Sequence, residues 1–150
     1  HGQAFVSDDE HPLSLARTKV PWYLHGEGVS TQDSYELTEN IDVFETLLKY
    51  CDLQTSENNY DSKMPFVLGG DVEREYVFSQ SIYPGQTYKA VINSVDGKYI
   101  YETERPVDSD GIINHVNSSV KILSKSNNNK KMFTENQVKE LVKMKLAVNN

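Results

Sequence analysis

The chain has 150 residues, the usual size of one domain, and carries 22 Asp and Glu against 15 Lys and Arg, a formal net charge of −7. This acidic balance argues against binding to nucleic acid or to anionic membranes, because both need clustered basic side chains. The one cysteine, Cys51, excludes an internal disulfide and a cysteine-based zinc site. No stretch approaches the roughly 20 apolar residues of a membrane span.

The first 19 residues lack hydrophobic periodicity, and we expect a flexible leader there, followed by a single domain over residues 20–150. The apolar cluster at residues 20–24 predicts a strand that ends at the following glycines. The chain starts with His1 rather than Met, which is the pattern of a removed signal peptide or longer N-terminal region, and equally that of a tag scar.

Residues 38–51 favour a helix, because their apolar residues follow the i, i+3, i+4, i+7 rule: Ile41, Phe44, Leu47, Leu48 and Cys51. The position of Cys51 in this apolar pattern predicts a buried, unreactive thiol. A strand through Ile41, Val43 and Glu45 is the competing interpretation.

Further short strands are predicted at residues 64–68, 72–78 and 120–123, and a hairpin is predicted at 87–104. Asp96-Gly97 is a favoured pair for a two-residue type I′ turn, which sets Val95 against Lys98. This register places Ile92 opposite Tyr101, Ala90 opposite Thr103, and Lys89 opposite Glu104 as a cross-strand ion pair.

A second helix is predicted at about 135–147. Thr134 and Gln137 have the spacing of a capping box, and Phe133 is placed to staple onto Val138. The apolar stripe of this helix consists of Val138, Leu141, Val142 and Leu146.

The order of these elements predicts an α+β fold, in which an antiparallel sheet of about five to six strands packs against two helices, at 38–51 and 135–147. The alternative is a small, incompletely closed β-barrel with a C-terminal helix.

The sequence predicts no metal site and no cofactor. Asp108-Ser109-Asp110-Gly111 resembles the middle of an EF-hand loop, but Pro106 and Asn117 occupy the end positions where that loop needs acidic ligands. An acidic turn is therefore the prediction for residues 108–110, and weak calcium binding is its alternative. His25 and Glu27 share a strand face, but no third zinc ligand lies nearby in the sequence.

No catalytic residues are predicted. The chain has no Gly-x-Ser-x-Gly motif, and Gly26-Glu27-Gly28 lacks the third glycine and the basic residue of a phosphate loop. Glutamates that alternate with apolar residues on strands are typical of a solvated face: Glu73, Glu75, Glu102 and Glu104. A hydrolase that uses such a carboxylate pair is accordingly only the third functional hypothesis.

Tyrosines gather on the predicted hairpin, and Tyr88, Tyr99 and Tyr101 share one face of it. Because tyrosine is enriched at recognition surfaces, these three residues are the predicted binding site for a protein or other macromolecule. If the helices cover this face, Lys89, Glu102 and Glu104 on the opposite face become the exposed set, and binding there would be polar and sensitive to salt.

The leading functional hypothesis is a non-enzymatic binding domain that is exported or surface-exposed. It rests on the absence of catalytic motifs, on the start of the chain and on the tyrosine-bearing sheet; Asn-, Ser- and Lys-rich loops further indicate a bacterial source. The alternative is a cytoplasmic, acidic protein of the immunity or inhibitor type that covers a basic site on its partner.

Overall fold

The structure is a computed structural model that describes residue 13 and residues 18–53, 62–71, 73–124 and 133–148. Along these residues the chain forms helix α1 (Ile41–Tyr50), a 3-10 turn (Phe66–Leu68), strands β1 (Tyr76–Ser81), β2 (Thr87–Ser94), β3 (Gly97–Pro106) and β4 (Ser119–Ser124), and helix α2 (Glu135–Val148). Neither helix is long and apolar enough to cross a membrane.

The α+β class is confirmed, with two helices and one open sheet in the order β1-β2-β3-β4 among the described residues. The strand count of five to six is wrong, because residues 20–24 form no strand and residues 64–68 include the 3-10 turn instead. Pro65 precedes that turn, and its missing N–H makes it a poor member of a sheet ladder. The sheet does not close into the alternative barrel.

The hairpin forms, but its register differs from the prediction by two residues. Asn93 pairs with Lys98, Ile92 with Tyr99 and Ala90 with Tyr101. The turn is therefore centred on Val95-Asp96 rather than on Asp96-Gly97, and neither central residue has the positive φ that a type I′ turn needs.

The side chain of Ser94 closes this turn. Its Oγ accepts from the backbone N–H of Gly97 and donates to the Gly97 carbonyl, both at 3.2 Å. The shift also corrects the predicted ion pair: Lys89 lies opposite Glu102, not Glu104, with 3.3 Å between the Lys89 Nζ and the Glu102 Oε1.

Helix α2 begins as its capping residues predict. Gln137 N–H donates to the Thr134 Oγ1 at 3.3 Å, and Thr134 N–H donates to the Gln137 Oε1 at 2.9 Å, which completes a capping box. Val138 and Val142 are fully buried, and the helix contacts β3 and β4. The predicted structural role of this apolar stripe is thus borne out at its two valines.

The chain divides into two compact units. Trp22–Val77 forms the first, here called the α1 unit, and the described residues of His1–Pro21 and Phe78–Asn150 form the second, here called the sheet unit. The predicted leader lies outside the described residues, apart from Leu13, Thr18 and Lys19. A single domain over residues 20–150 stays a prediction.

Candidate functional site

The three tyrosines that were predicted as a binding face belong to the core of the sheet unit. Tyr88 is 0% exposed, and Tyr99 and Tyr101 are each 1% exposed. Phe133, just before α2, packs edge-on against Tyr99 with ring centroids 5.5 Å apart, and its N–H donates to the Tyr99 hydroxyl. Rings without exposed area offer a partner no contact, so the expectation of an open tyrosine face is corrected: these are packing residues.

A polar cluster that the sequence did not predict joins two of these tyrosines to a histidine. The Tyr101 hydroxyl lies 2.6 Å from the His115 Nδ1, and the Tyr88 hydroxyl donates to the Gln80 Oε1 at 3.0 Å. Burial is the main cause that raises the pKa of Tyr88. Burial, with a smaller effect from Lys143, lowers the pKa of His115. The direction of this hydrogen bond depends on the imidazole tautomer: Nδ1 accepts from the Tyr101 hydroxyl when the ring proton is on Nε2 and donates to it when the proton is on Nδ1.

A shallow, open cleft of about 500 Å³ at one end of the hairpin is lined by Thr87, Glu102, Thr103, Glu104, Asn117 and Ser119. The Glu102 carboxylate already pairs with Lys89 and accepts from the Thr87 hydroxyl at 2.6 Å. Glu104 is exposed and has no hydrogen-bond or ion-pair partner among the described residues. With one carboxylate engaged and one in solvent, the cleft suits contact with a cationic group better than acid–base chemistry.

The apolar side of α1 is largely exposed. Ile41, Phe44 and Leu47 are 46%, 57% and 46% exposed. We call these three residues the α1 stripe. Cys51, at the end of the helix, is exposed as well, which corrects the prediction of a buried thiol. The amphipathic helix was predicted correctly, but its apolar side is exposed and its polar side is buried.

Helix α1 turns this way because its polar side binds a buried arginine. Asp42, only 1% exposed, pairs with the guanidinium of Arg74, and Glu39 Oε2 lies 3.1 Å from the same group. The Asp42 carboxylate also accepts from the backbone N–H groups of Glu39 and Lys63, each at 2.7 Å. Thr46, also fully buried, donates to the Asp42 carbonyl. Because every member has partners, the network is structural and holds the α1 stripe on the outside.

A second carboxylate anchors the loop that supplies Lys63. The two oxygens of Glu36 accept from the backbone N–H groups of Phe66 and Val67, both at 2.8 Å, and thereby bind the N-terminus of the 3-10 turn. Gly70 closes the loop, because its backbone N–H donates to the Pro65 carbonyl. At this position a Cβ on residue 70 would overlap the carbonyl oxygen of Met64.

The described part of the chain holds no group of three or more His, Cys, Asp or Glu residues placed to bind a metal ion. In the acidic turn, the Asp108 Oδ1 accepts from the backbone N–H groups of Asp110 and Ile112, at 3.0 and 2.7 Å. These are the bonds of a side-chain-stabilised turn. His25 and Glu27 are both exposed.

No protein family model, no curated protein and no solved structure matches this chain.

Proposed function

We propose that this chain is a non-enzymatic binding domain for a macromolecular partner, and that the α1 stripe is its contact face. The outward orientation of that stripe is the observation that carries the proposal. Monomeric proteins rarely expose contiguous apolar patches unless the patch binds something. Apolar anchors at helical spacing are a recurring means of protein recognition.

The orientation of α1 is set by contacts within its own unit. The burial of Asp42 and Thr46 leaves the opposite side of the helix, centred on Phe44, directed away from their partners. Turning the stripe inward would expose the Asp42–Arg74 pair and leave its hydrogen-bonding groups without the partners they now have. The burial of the polar side of the helix is thus what directs the stripe outward.

The proposal includes two alternatives for the cellular compartment of the protein. An exported binding domain and a cytoplasmic inhibitor that covers a basic site would use the same face, and the two differ only in where the partner is met. The cleft beside Glu104 is the competing contact surface, and binding there would depend on charge alone.

A display selection separates these surfaces. The full chain is immobilised, a library of random peptides is selected on it, and the enriched clones are measured against variants. We expect Phe44→Ser to weaken most clones by about tenfold or more, as truncation of an interface anchor does. Tyr35→Ser is the matched control, because Tyr35 is a 93% exposed aromatic residue of the same unit that lies outside α1.

Clones that keep their affinity for Phe44→Ser and lose it with Glu104→Lys would move the contact to the cleft and overturn the role of α1. The melting temperature of Phe44→Ser should stay close to that of the parent chain, because substitutions at exposed positions change stability by about 0.5 kcal/mol or less. A large decrease would show that the stripe packs inside the folded chain, which also contradicts the proposal.

A further inference from the structure

The negative charge of the chain is concentrated in the unit that contains α1. Residues 22–77 hold twelve Asp and Glu against three Lys and Arg, which gives a formal net charge of −9. The rest of the chain has ten acidic and twelve basic residues, a net charge of +2. The surplus of acidic groups therefore belongs to the unit that contains the exposed apolar helix.

The charges next to the α1 stripe include one carboxylate without a partner among the described residues, that of Asp52, which is exposed and follows directly after Cys51. Glu45 is paired: its Oε1 lies 3.0 Å from the Nζ of Lys49, the single basic residue of α1, and its Oε2 accepts from the Ser62 hydroxyl. A partner that covers the stripe therefore meets apolar side chains bordered by Asp52 and by a neutral ion pair, within a unit of net charge −9.

We infer that the α1 stripe docks a cationic amphipathic helix of another protein, whose apolar seam covers Phe44 and Leu47 and whose Lys and Arg side chains meet the negative charge of the α1 unit. This inference rests on the proposed function and adds the chemistry of the partner. The stripe runs from Ile41 to Leu47, about 9 Å at 1.5 Å per residue, so a helical segment of roughly two turns covers it.

A second copy of the chain fits this face less well. A symmetric contact through α1 would place a unit of charge −9 against an identical unit, and like charges across an interface disfavour association. A basic partner gains from the same charges, both in the rate of encounter and in the choice of register.

The test uses three synthetic peptides of about 20 residues, long enough to span the stripe. The first has a leucine seam with lysines on its borders, the second has the same seam with glutamates, and the third has the lysines with a scrambled seam. Binding of each labelled peptide to the full chain is followed by fluorescence anisotropy at low and at high salt. We expect the first peptide to bind at least about tenfold more tightly than the other two, and its affinity to fall with salt.

Variants of the chain locate the contact. Phe44→Ser should weaken the first peptide by about tenfold, whereas Tyr35→Ser should leave it within about twofold. The variant Asp52→Asn should reduce the salt dependence, because it removes the carboxylate of Asp52 next to the stripe. Equal binding of the seam and scrambled lysine peptides would show attraction by charge alone and overturn the inference.

Two outcomes separate this inference from the proposed function. If the glutamate peptide binds as tightly as the lysine peptide, and both depend on Phe44, the cationic partner is wrong while α1 remains the contact face. If the chain alone forms a dimer in sedimentation equilibrium, and Phe44→Ser abolishes that dimer, the occupant is a second copy and the inference is overturned.

Discussion

Removing the carboxylate of Asp42 tests the structural role of its buried ion pair with Arg74. The Asp42→Ala change leaves the guanidinium, whose side chain is 6% exposed, with the Glu39 carboxylate at 3.1 Å. It also removes the acceptor of two backbone N–H groups, those of Glu39 and Lys63. Breaking a buried pair from one side costs about 3–5 kcal/mol. The retained Glu39 contact lowers this cost and the two unpaired N–H groups raise it, so we expect about 4 kcal/mol.

Urea unfolding followed by far-ultraviolet circular dichroism measures this loss. The double variant Asp42→Leu with Arg74→Met should be more stable than Asp42→Ala, because neither partner is left as an unpaired buried charge. Lys49→Ala is the control, since it removes an exposed i, i+4 pair with Glu45 that contributes only about 0.3–0.5 kcal/mol. A loss below about 1 kcal/mol for Asp42→Ala would refute the assignment of this network as the anchor of α1.

Three further changes test the rest of the fold. The folded chain lowers the pKa of His115 below its ordinary 6.5, so the neutral imidazole contributes to stability above pH 6.5 and this contribution decreases as the pH falls. The melting temperature of His115→Gln should therefore decrease less than that of the parent chain when the pH is lowered below 6.5. Val142→Ala should cost about 2 kcal/mol in chemical unfolding, whereas Met144→Ala, at a 67% exposed position, should cost about 0.5 kcal/mol or less. Gly70→Ala should lower the melting temperature strongly, because its Cβ would overlap a backbone carbonyl. Equal effects of Val142→Ala and Met144→Ala would contradict the packing of α2.

Local chemistry was sufficient to predict α2. The reciprocal bonds between Thr134 and Gln137 depend on residues three apart, and the burial of Val138 and Val142 follows from helical spacing. Strand β4 was likewise predicted within one residue at each end, since its apolar run is short and clearly bounded.

The hairpin register was not predictable from alternation alone. A shift of one residue would turn Tyr99 and Tyr101 to the opposite face, but a shift of two leaves every side chain on the same face. The register was therefore decided by the turn. The Asp96-Gly97 pair favours a turn at those two residues, but the Ser94 hydroxyl bonds to the backbone of Gly97 and stabilises a turn at Val95-Asp96 instead.

The prediction that the apolar side of α1 is buried was wrong for a different reason. Periodicity identifies an apolar stripe, and the usual assumption is that the stripe is buried. Here the decisive contact joins Asp42 to Arg74, which are 32 residues apart in the sequence. No local pattern indicates that pairing, so neither the exposed stripe nor the contact face proposed from it was predictable.

The exposed thiol of Cys51 gives this chain a built-in position for a reporter group. It is the chain's only cysteine, so a maleimide fluorophore would attach at one position without any engineering. The residue directly follows α1 and lies four residues after Leu47, at the C-terminal end of the stripe's side of the helix. A partner that covers the helix would change the environment of the dye and its emission, and the wild-type chain would thereby report its own occupancy.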